Sequence, residues 1–184
     1  IFGSSWAGLI GAPIAGALLG ALLALFTIKY RADNIVVGVV LNMLALGVTS
    51  FLFSTLLSNS SHLNKPQRLP IIAIPFLEDI PIIGPVMFRQ TILVYLMYAA
   101  VIILQFMLFN SRWGLRLRAV GEKPRAADTV GIRVNSIRWH NVLLGGAIAG
   151  LGGAFFTVGQ GLAFSKDMAA GNGFIALAAM ILGR

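Results

Sequence analysis

Residues 6–31 read WAGLIGAPIAGALLGALLALFTIKYR: an unbroken apolar block closed by Lys29, Tyr30 and Arg31. At 1.5 Å per residue such a block forms a helix long enough to cross a hydrocarbon core about 30 Å thick. Its basic and aromatic end is the kind of boundary found at a membrane surface. A secretory signal peptide is the competing reading. That pattern places a basic segment before a shorter apolar core, whereas here the block is longer and its basic flank lies behind it.

Working outward from this block, the rest of the chain repeats its pattern. Apolar blocks recur at residues 35–57, 91–110, 141–161 and 174–184, the last running to the end of the sequence after about eleven residues. The expected architecture is therefore all-α, a polytopic transmembrane helical bundle with about five spans and a single membrane domain over 1–184. A short re-entrant helix is the alternative for the last block. The chain starts at Ile1 without an initiator Met and is already apolar, so it is expected to be a piece of a longer protein, incomplete at both ends. The whole composition agrees, with 58% hydrophobic and 11% charged residues and a mean hydropathy of +0.87. Soluble domains carry roughly 25% charged residues.

Between the blocks, residues 58–90 hold five of the seven prolines (Pro66, Pro70, Pro75, Pro81 and Pro85) with Glu78 and Asp79, which excludes a continuous helix there. The second long loop, 111–140, is rich in arginine. Lys29, Arg31, Arg112, Arg116, Arg118, Lys123, Arg125, Arg133 and Arg138 lie on one side of the alternating blocks, against Lys65, Arg68, Arg89 and Lys166 on the other. The excess of positive charge assigns the first side to the cytoplasm and the 58–90 loop to the outside. The net charge of +8 is thus explained by membrane orientation. The basic residues do not line one amphipathic face, so nucleic acid is not an expected partner.

The residues also exclude much chemistry. There is no cysteine, and His62 and His140 are the two histidines, so disulfides, thiol nucleophiles and thiolate zinc sites are out and no metal centre can be built from the usual ligands. No histidine or carboxylate lies within a complete span, which argues against an intramembrane enzyme. The same absence weighs against an ion-coupled transporter or channel, the alternative function, because such proteins often keep a buried carboxylate. No G-x-x-x-x-G-K-[ST] loop is present to hold ATP phosphates.

Two features inside the spans carry functional expectations. Gly8, Ala12, Gly16 and Gly20 recur every four residues, as do Gly145, Ala149 and Gly153 beside Gly146, Gly150 and Ala154. Small residues at this spacing let helix backbones approach closely, either as fixed packing or as faces that slide during transport. The amides Asn42, Gln105, Asn141 and Gln160 must each find a hydrogen-bond partner across helices or line a wet path. Asn42 shares a helical face with Gly38 and Thr49. The translocation-path candidates are therefore Asn42, Thr49, Gln105 and Gln160.

In the basic loop, residues 116–132 read RLRAVGEKPRAADTVGI. Gly121 permits a sharp turn, Pro124 suits a first helical turn and Gly131 is placed to end a helix of about two turns. Glu122 near its start complements the helix dipole, while Ala126, Ala127 and Val130 supply a small apolar side and Arg125 and Asp128 charged contacts. The run RAVGEKPRAADTVGI (118–132), AIAGLGGA (147–154) and GFIALAAMILG (173–183), with KYRADNIVVGVVLNMLAL (29–46) upstream, resembles the permease subunits of bacterial ATP-binding-cassette importers for simple sugars and nucleosides, in the branched-chain amino acid permease superfamily. One departure is at 34–37, where Asn-Ile-Val-Val stands in place of the Asn-Glu-Val-Ile common in that family.

The resemblance implies transport of a small polar solute, nucleoside first and simple sugar second, with branched-chain amino acids a more distant third, across the bacterial inner membrane. It implies an ATP-binding subunit that holds the ATP, a second and paralogous permease, an extracytoplasmic substrate-binding lipoprotein, membrane lipid around the helices, and no cofactor of the chain's own. In such families the loop helix docks on the ATPase. That role is carried here onto Gly121, Glu122, Pro124, Ala126, Ala127, Asp128 and Gly131.

Overall fold

A computed structural model describes residues 5–57, 71–73, 89–159, 164–165 and 167–183. The chain is helical, with elements α1 (Ser5–Ala24), α2 (Asn34–Leu52), strands β1 (Ile71–Ala73) and β2 (Arg89–Thr91), then α3 (Ile92–Asn110), α4 (Arg112–Glu122), α5 (Pro124–Thr129), α6 (Val134–Ala154) and α7 (Asn172–Leu182). Four segments have the length and apolarity to cross a membrane: Gly8–Lys29, Asn34–Leu56, Ile92–Asn110 and Val134–Gly159. The fifth apolar block forms the 11-residue α7, only about 16 Å long at 1.5 Å per residue. The fourth block becomes helical at Val134, earlier than hydropathy places it, so Arg138 and His140 lie in the first turns of α6.

Each of α1, α2 and α6 runs into a wider π turn, at Leu25–Lys29, Phe53–Leu57 and Phe155–Gly159. Hydroxyls along these apolar helices are satisfied locally: Thr27, Thr49, Ser54 and Thr157 donate to carbonyl oxygens three or four residues back. A hydroxyl that bonds its own helix is tolerated where water is absent. The α2 N-terminus is capped by Asp33, whose carboxylate accepts from the Ile35 N–H at 2.7 Å and the Val36 N–H at 3.3 Å. This cap sits where the sequence departs from the Asn-Glu-Val-Ile pattern.

The centre of the bundle is the antiparallel pair α1 and α6. A Cβ on Gly20 would come within 2.9 Å of the Val142 oxygen, one on Gly16 within 2.9 Å of Gly150 Cα, and one on Gly8 within 3.3 Å of Val158 Cγ2. A Cβ on Gly150 would strike the Ala12 carbonyl oxygen. Of the two interleaved stripes on α6, the one through Gly146, Gly150 and Ala154 is therefore the contact face. Among the described residues, Gly145, Gly152 and Gly153 have nothing within 4 Å of a Cβ position. Close backbone approach brings many dispersion contacts into register without long side chains, which drives helix pairing where lipid removes the hydrophobic effect.

At one end of this pair the start of α3 packs in, with Leu93 and Ala154 buried among Leu9, Ala12, Ile92, Phe155 and Val158. Strand β2 precedes it and pairs antiparallel with β1, in the register Ile71 with Thr91, Ile72 with Gln90 and Ala73 with Arg89. The remainder of the 58–90 loop lies outside the described residues. α2 touches α1 more lightly, burying Val37 and leaving most of its apolar side chains exposed. α7 is exposed along its whole length.

Candidate functional site

On the basic side, α3 ends and the chain turns back within two residues. Ser111 organises the corner, its hydroxyl donating to the Met107 oxygen at 2.5 Å and accepting from the Gly114 N–H at 3.1 Å. Gly114 is buried against the end of α3, where a Cβ would overlap the Leu108 carbonyl oxygen. α4 then runs to Glu122, burying Val120, and Lys123 breaks it in a non-helical conformation (φ −136°, ψ 78°). Pro124 opens α5 at a position where a missing N–H costs nothing.

The end of α5 is closed on both sides. Gly131 adopts φ +81°, its N–H donates to Asp128 O at 2.9 Å, and the Ile132 N–H reaches Ala127 O at 3.1 Å. These two bonds make a Schellman motif, and the left-handed residue it needs is most cheaply a glycine. The expected stop at Gly131 is what the structure has.

Other expectations for this segment change. Gly121 makes no turn; it lies inside α4, and a Cβ there meets nothing within 4 Å among the described residues. The break falls at Lys123 because proline at 124 removes the next helical N–H and restricts the residue before it. Glu122 is the last residue of α4, where the helix dipole is unfavourable to it, and also lies one residue before the cap of α5, where it is favourable. The small apolar side is divided. Ala127 is buried at 4% exposure, whereas Ala126 is exposed and Val130 is 74% exposed. An open depression beside α5 is lined by Pro124, Arg125, Asp128, Arg133, Val134 and Asn135. Arg125, Ala126, Asp128 and Val130 thus face outward from a short helix that Ala127 anchors and Gly131 terminates.

The polar residues of the spans separate into two kinds. Asn141 donates to Ile137 O at 2.6 Å and Thr49 to Ala45 O at 2.7 Å, so both are satisfied within their own helices. The expected bond across helices is not made by Asn141. Asn42 and Gln105 are exposed and, among the described residues, make no side-chain hydrogen bond. They lie on α2 and α3, which are not extensively packed together among the described residues. Gln160 lies outside the described residues. Among the described residues no group of three or more metal-ligating side chains gathers.

A family model described as the permease component of branched-chain amino acid transport systems matches residues 2–184. The chain belongs to this permease family. It is 41% identical over its full length to the Nucleoside ABC transporter permease protein NupC of Lactococcus lactis subsp. cremoris, covering 59% of that protein. It is 38% identical over 97% of its length to the Guanosine ABC transporter permease protein NupQ of Bacillus subtilis, covering 56%. A second Bacillus subtilis relative, the Guanosine ABC transporter permease protein NupP, is 29% identical over 95% of the chain and covered to 50%. The chain therefore spans between half and three-fifths of these relatives. No solved structure matches it.

For a permease of this family, the residues that sequence reasoning missed are the ones that shape the backbone. Gly114 sets the α3 to α4 corner and Asp33 starts α2. Asp33 was legible, since an acidic residue just before an apolar run is an N-cap signal. Gly114 was not, because its role depends on how closely the end of α3 comes back to α4.

Proposed function

We propose that the chain forms the membrane-spanning part of a permease subunit in an ATP-driven importer of nucleosides. The observation that carries this reading is the outward-facing surface of α5, held on a rigid corner and closed by the Gly131 motif, in a chain 41% identical to a nucleoside permease. A short rigid helix outside the membrane is suited to transmit force. Its own contacts are complete on one side through Ala127, and Arg125, Asp128 and Val130 are left for a partner.

In this reading the partner is a separate cytoplasmic ATP-binding subunit, which binds and hydrolyses the ATP. The transmembrane partner is a second, paralogous permease, a reading supported by the similarity of the chain to both NupP and NupQ of Bacillus subtilis. A substrate-binding lipoprotein delivers solute from outside, and the assembly sits in the bacterial inner membrane. Asn42 and Gln105, exposed amides on apolar helices, face the translocation path or a partner helix that completes it, because an amide left unpaired in lipid costs a few kcal/mol.

No covalent chemistry falls to the spans. Transport follows from switching between inward-open and outward-open packings, and α5 drives the switch only if its contacts with the ATPase differ in free energy between them. Carrying a two-state equilibrium from 1:99 to 99:1 takes about 5.5 kcal/mol of such difference. No observation favours the ion-coupled alternative.

The test is co-purification of the full-length protein with its ATPase, followed by nucleoside-stimulated ATP hydrolysis and uptake, with Gly121→Leu as the probe. Because the Gly121 side is open, this variant leaves the chain's own fold intact and acts only on what docks there. The expected result is an inserted, monodisperse protein that has lost coupled hydrolysis. Uptake at the wild-type rate in this variant would sink the coupling role, and competition by a simple sugar in place of a nucleoside would reassign the substrate.

A further inference from the structure

The outer surface where α4 meets the end of α3 joins a strong positive charge to an apolar ridge. Ile102, Phe106 and Phe109 recur at helical spacing along α3 and are all exposed, Phe109 at 55%. Arg118, two turns into α4, comes back over this ridge with its guanidinium carbon 5.0 Å from the centre of the Phe109 ring. Leu115, one turn before Arg118 on the exposed side of α4, is 63% exposed. Behind it, Trp113 and Leu117 are half-buried and Gly114 and Val120 buried, which fixes the side of α4 that turns outward.

Phe109 is in the last turn of a membrane-crossing helix, so the Arg118 guanidinium lies at the depth where hydrocarbon gives way to headgroups. Stacking on the ring holds it beside the exposed apolar ridge. Glu122 is one helical turn further on, yet among the described residues Arg118 forms no ion pair. A guanidinium so placed presents a planar fork that matches a phosphate through two parallel N–H···O bonds.

We infer that Arg118, Phe109 and Leu115 form a binding site for the headgroup of an anionic phospholipid, with its acyl chain lying along Phe106 and Ile102. The apolar ridge leading away from the charge has the shape of a lipid and not of a free phosphate. The excess of basic over acidic residues in the 111–140 segment, seven Lys and Arg against Glu122 and Asp128, adds a local field that favours a negative headgroup over a zwitterionic one. The inference needs α3 to cross the membrane with the Phe106 side of this ridge toward lipid; Gln105 borders the ridge on the side away from Phe106, so the path or partner helix proposed for it lies beyond that other edge.

The experiment is native mass spectrometry of the full-length protein in detergent, with phosphatidylglycerol and phosphatidylcholine added in equal amounts. The expected result is about a fivefold preference for phosphatidylglycerol adducts, the magnitude that one interfacial arginine supplies. Arg118→Gln removes the preference, Arg118→Lys keeps most of it and Phe109→Leu lowers it. Arg116→Gln, on the other flank of α4, leaves it unchanged. Equal adducts of the two lipids on the wild type, or a full preference in Arg118→Gln, would overturn the site. So would loss of the ATPase subunit on co-purification of Arg118→Gln, which would assign this surface to a protein partner.

Discussion

Gly16 and Gly146 meet backbone to backbone: a Cβ built on either would fall on the carbonyl oxygen of the other. Neither helix can give way by rotating a side chain, since main chain faces main chain. Gly16→Ala and Gly146→Ala should each force α1 and α6 apart, costing at least the 1–3 kcal/mol, approximately, of an overpacked core. Gly145→Ala, on the open face, should stay within about 0.5 kcal/mol of wild type. Thermal unfolding of the detergent-solubilised protein separates the two; equal losses at Gly145 and Gly146 would mean that the contact face is not the one described.

The α3 to α4 corner should be as intolerant. Gly114→Ala places a methyl group against the Leu108 carbonyl and is expected to lower the unfolding temperature, while Gly121→Ala, in open space within α4, should leave it unchanged or slightly raised because alanine favours helix by about 1 kcal/mol. The ratio of monodisperse to aggregated protein on size exclusion is the simplest readout.

Ala127 behaves differently from Gly121. Its burial means that Ala127→Leu disturbs the chain's own packing of α5 before any partner is present. The expected outcome is loss of amide protection across residues 124–132 by hydrogen exchange in the isolated protein. Gly121→Leu should leave that protection intact.

At Gly131, the left-handed backbone makes Gly131→Ala unfavourable by about 1 kcal/mol, with Gly131→Asn milder. Exchange of the Ile132 amide, whose bond to Ala127 closes the motif, should speed up in the same order.

Replacing Asp33 by Ala removes two capping bonds and should cost about 1 kcal/mol, whereas Asp33→Asn or Asp33→Ser should restore most of it. Thermal unfolding of the three variants in detergent gives the order; an Ala variant as stable as wild type would show the cap to be energetically silent.

Among the span amides, Asn42→Leu and Gln105→Leu should insert normally and lose solute uptake, while Asn141→Leu should transport as wild type because its amide bonds only its own helix. Unchanged uptake in both of the first two would place these residues toward lipid or a structural partner.

Much of this protein was open to reading in one dimension. Water-to-lipid transfer acts on each block of apolar residues separately, so hydropathy and length located four helices long enough to cross without knowledge of their neighbours, though the fourth begins at Val134 and the fifth block forms an 11-residue helix. The stop at Gly131 and the start at Pro124 were legible for the same reason, since backbone propensity is local. Gly121 misled because a glycine only permits a turn, and the proline three residues later decided where the break fell.

By itself, then, the sequence determined a helical membrane protein, its long apolar helices, the basic side and the start and stop residues of the short loop helix. Only tertiary structure decided which of two equivalent small-residue stripes on α6 meets α1, that Gly114 rather than Gly121 is sterically locked, that Ala127 turns inward and Val130 outward, and that Arg118 returns over Phe109. The first depends on the close approach of two helices far apart in the chain, and the others on how consecutive helices fold back on one another and rotate. A helix with small residues on two faces carries no local signal of which face another helix will choose.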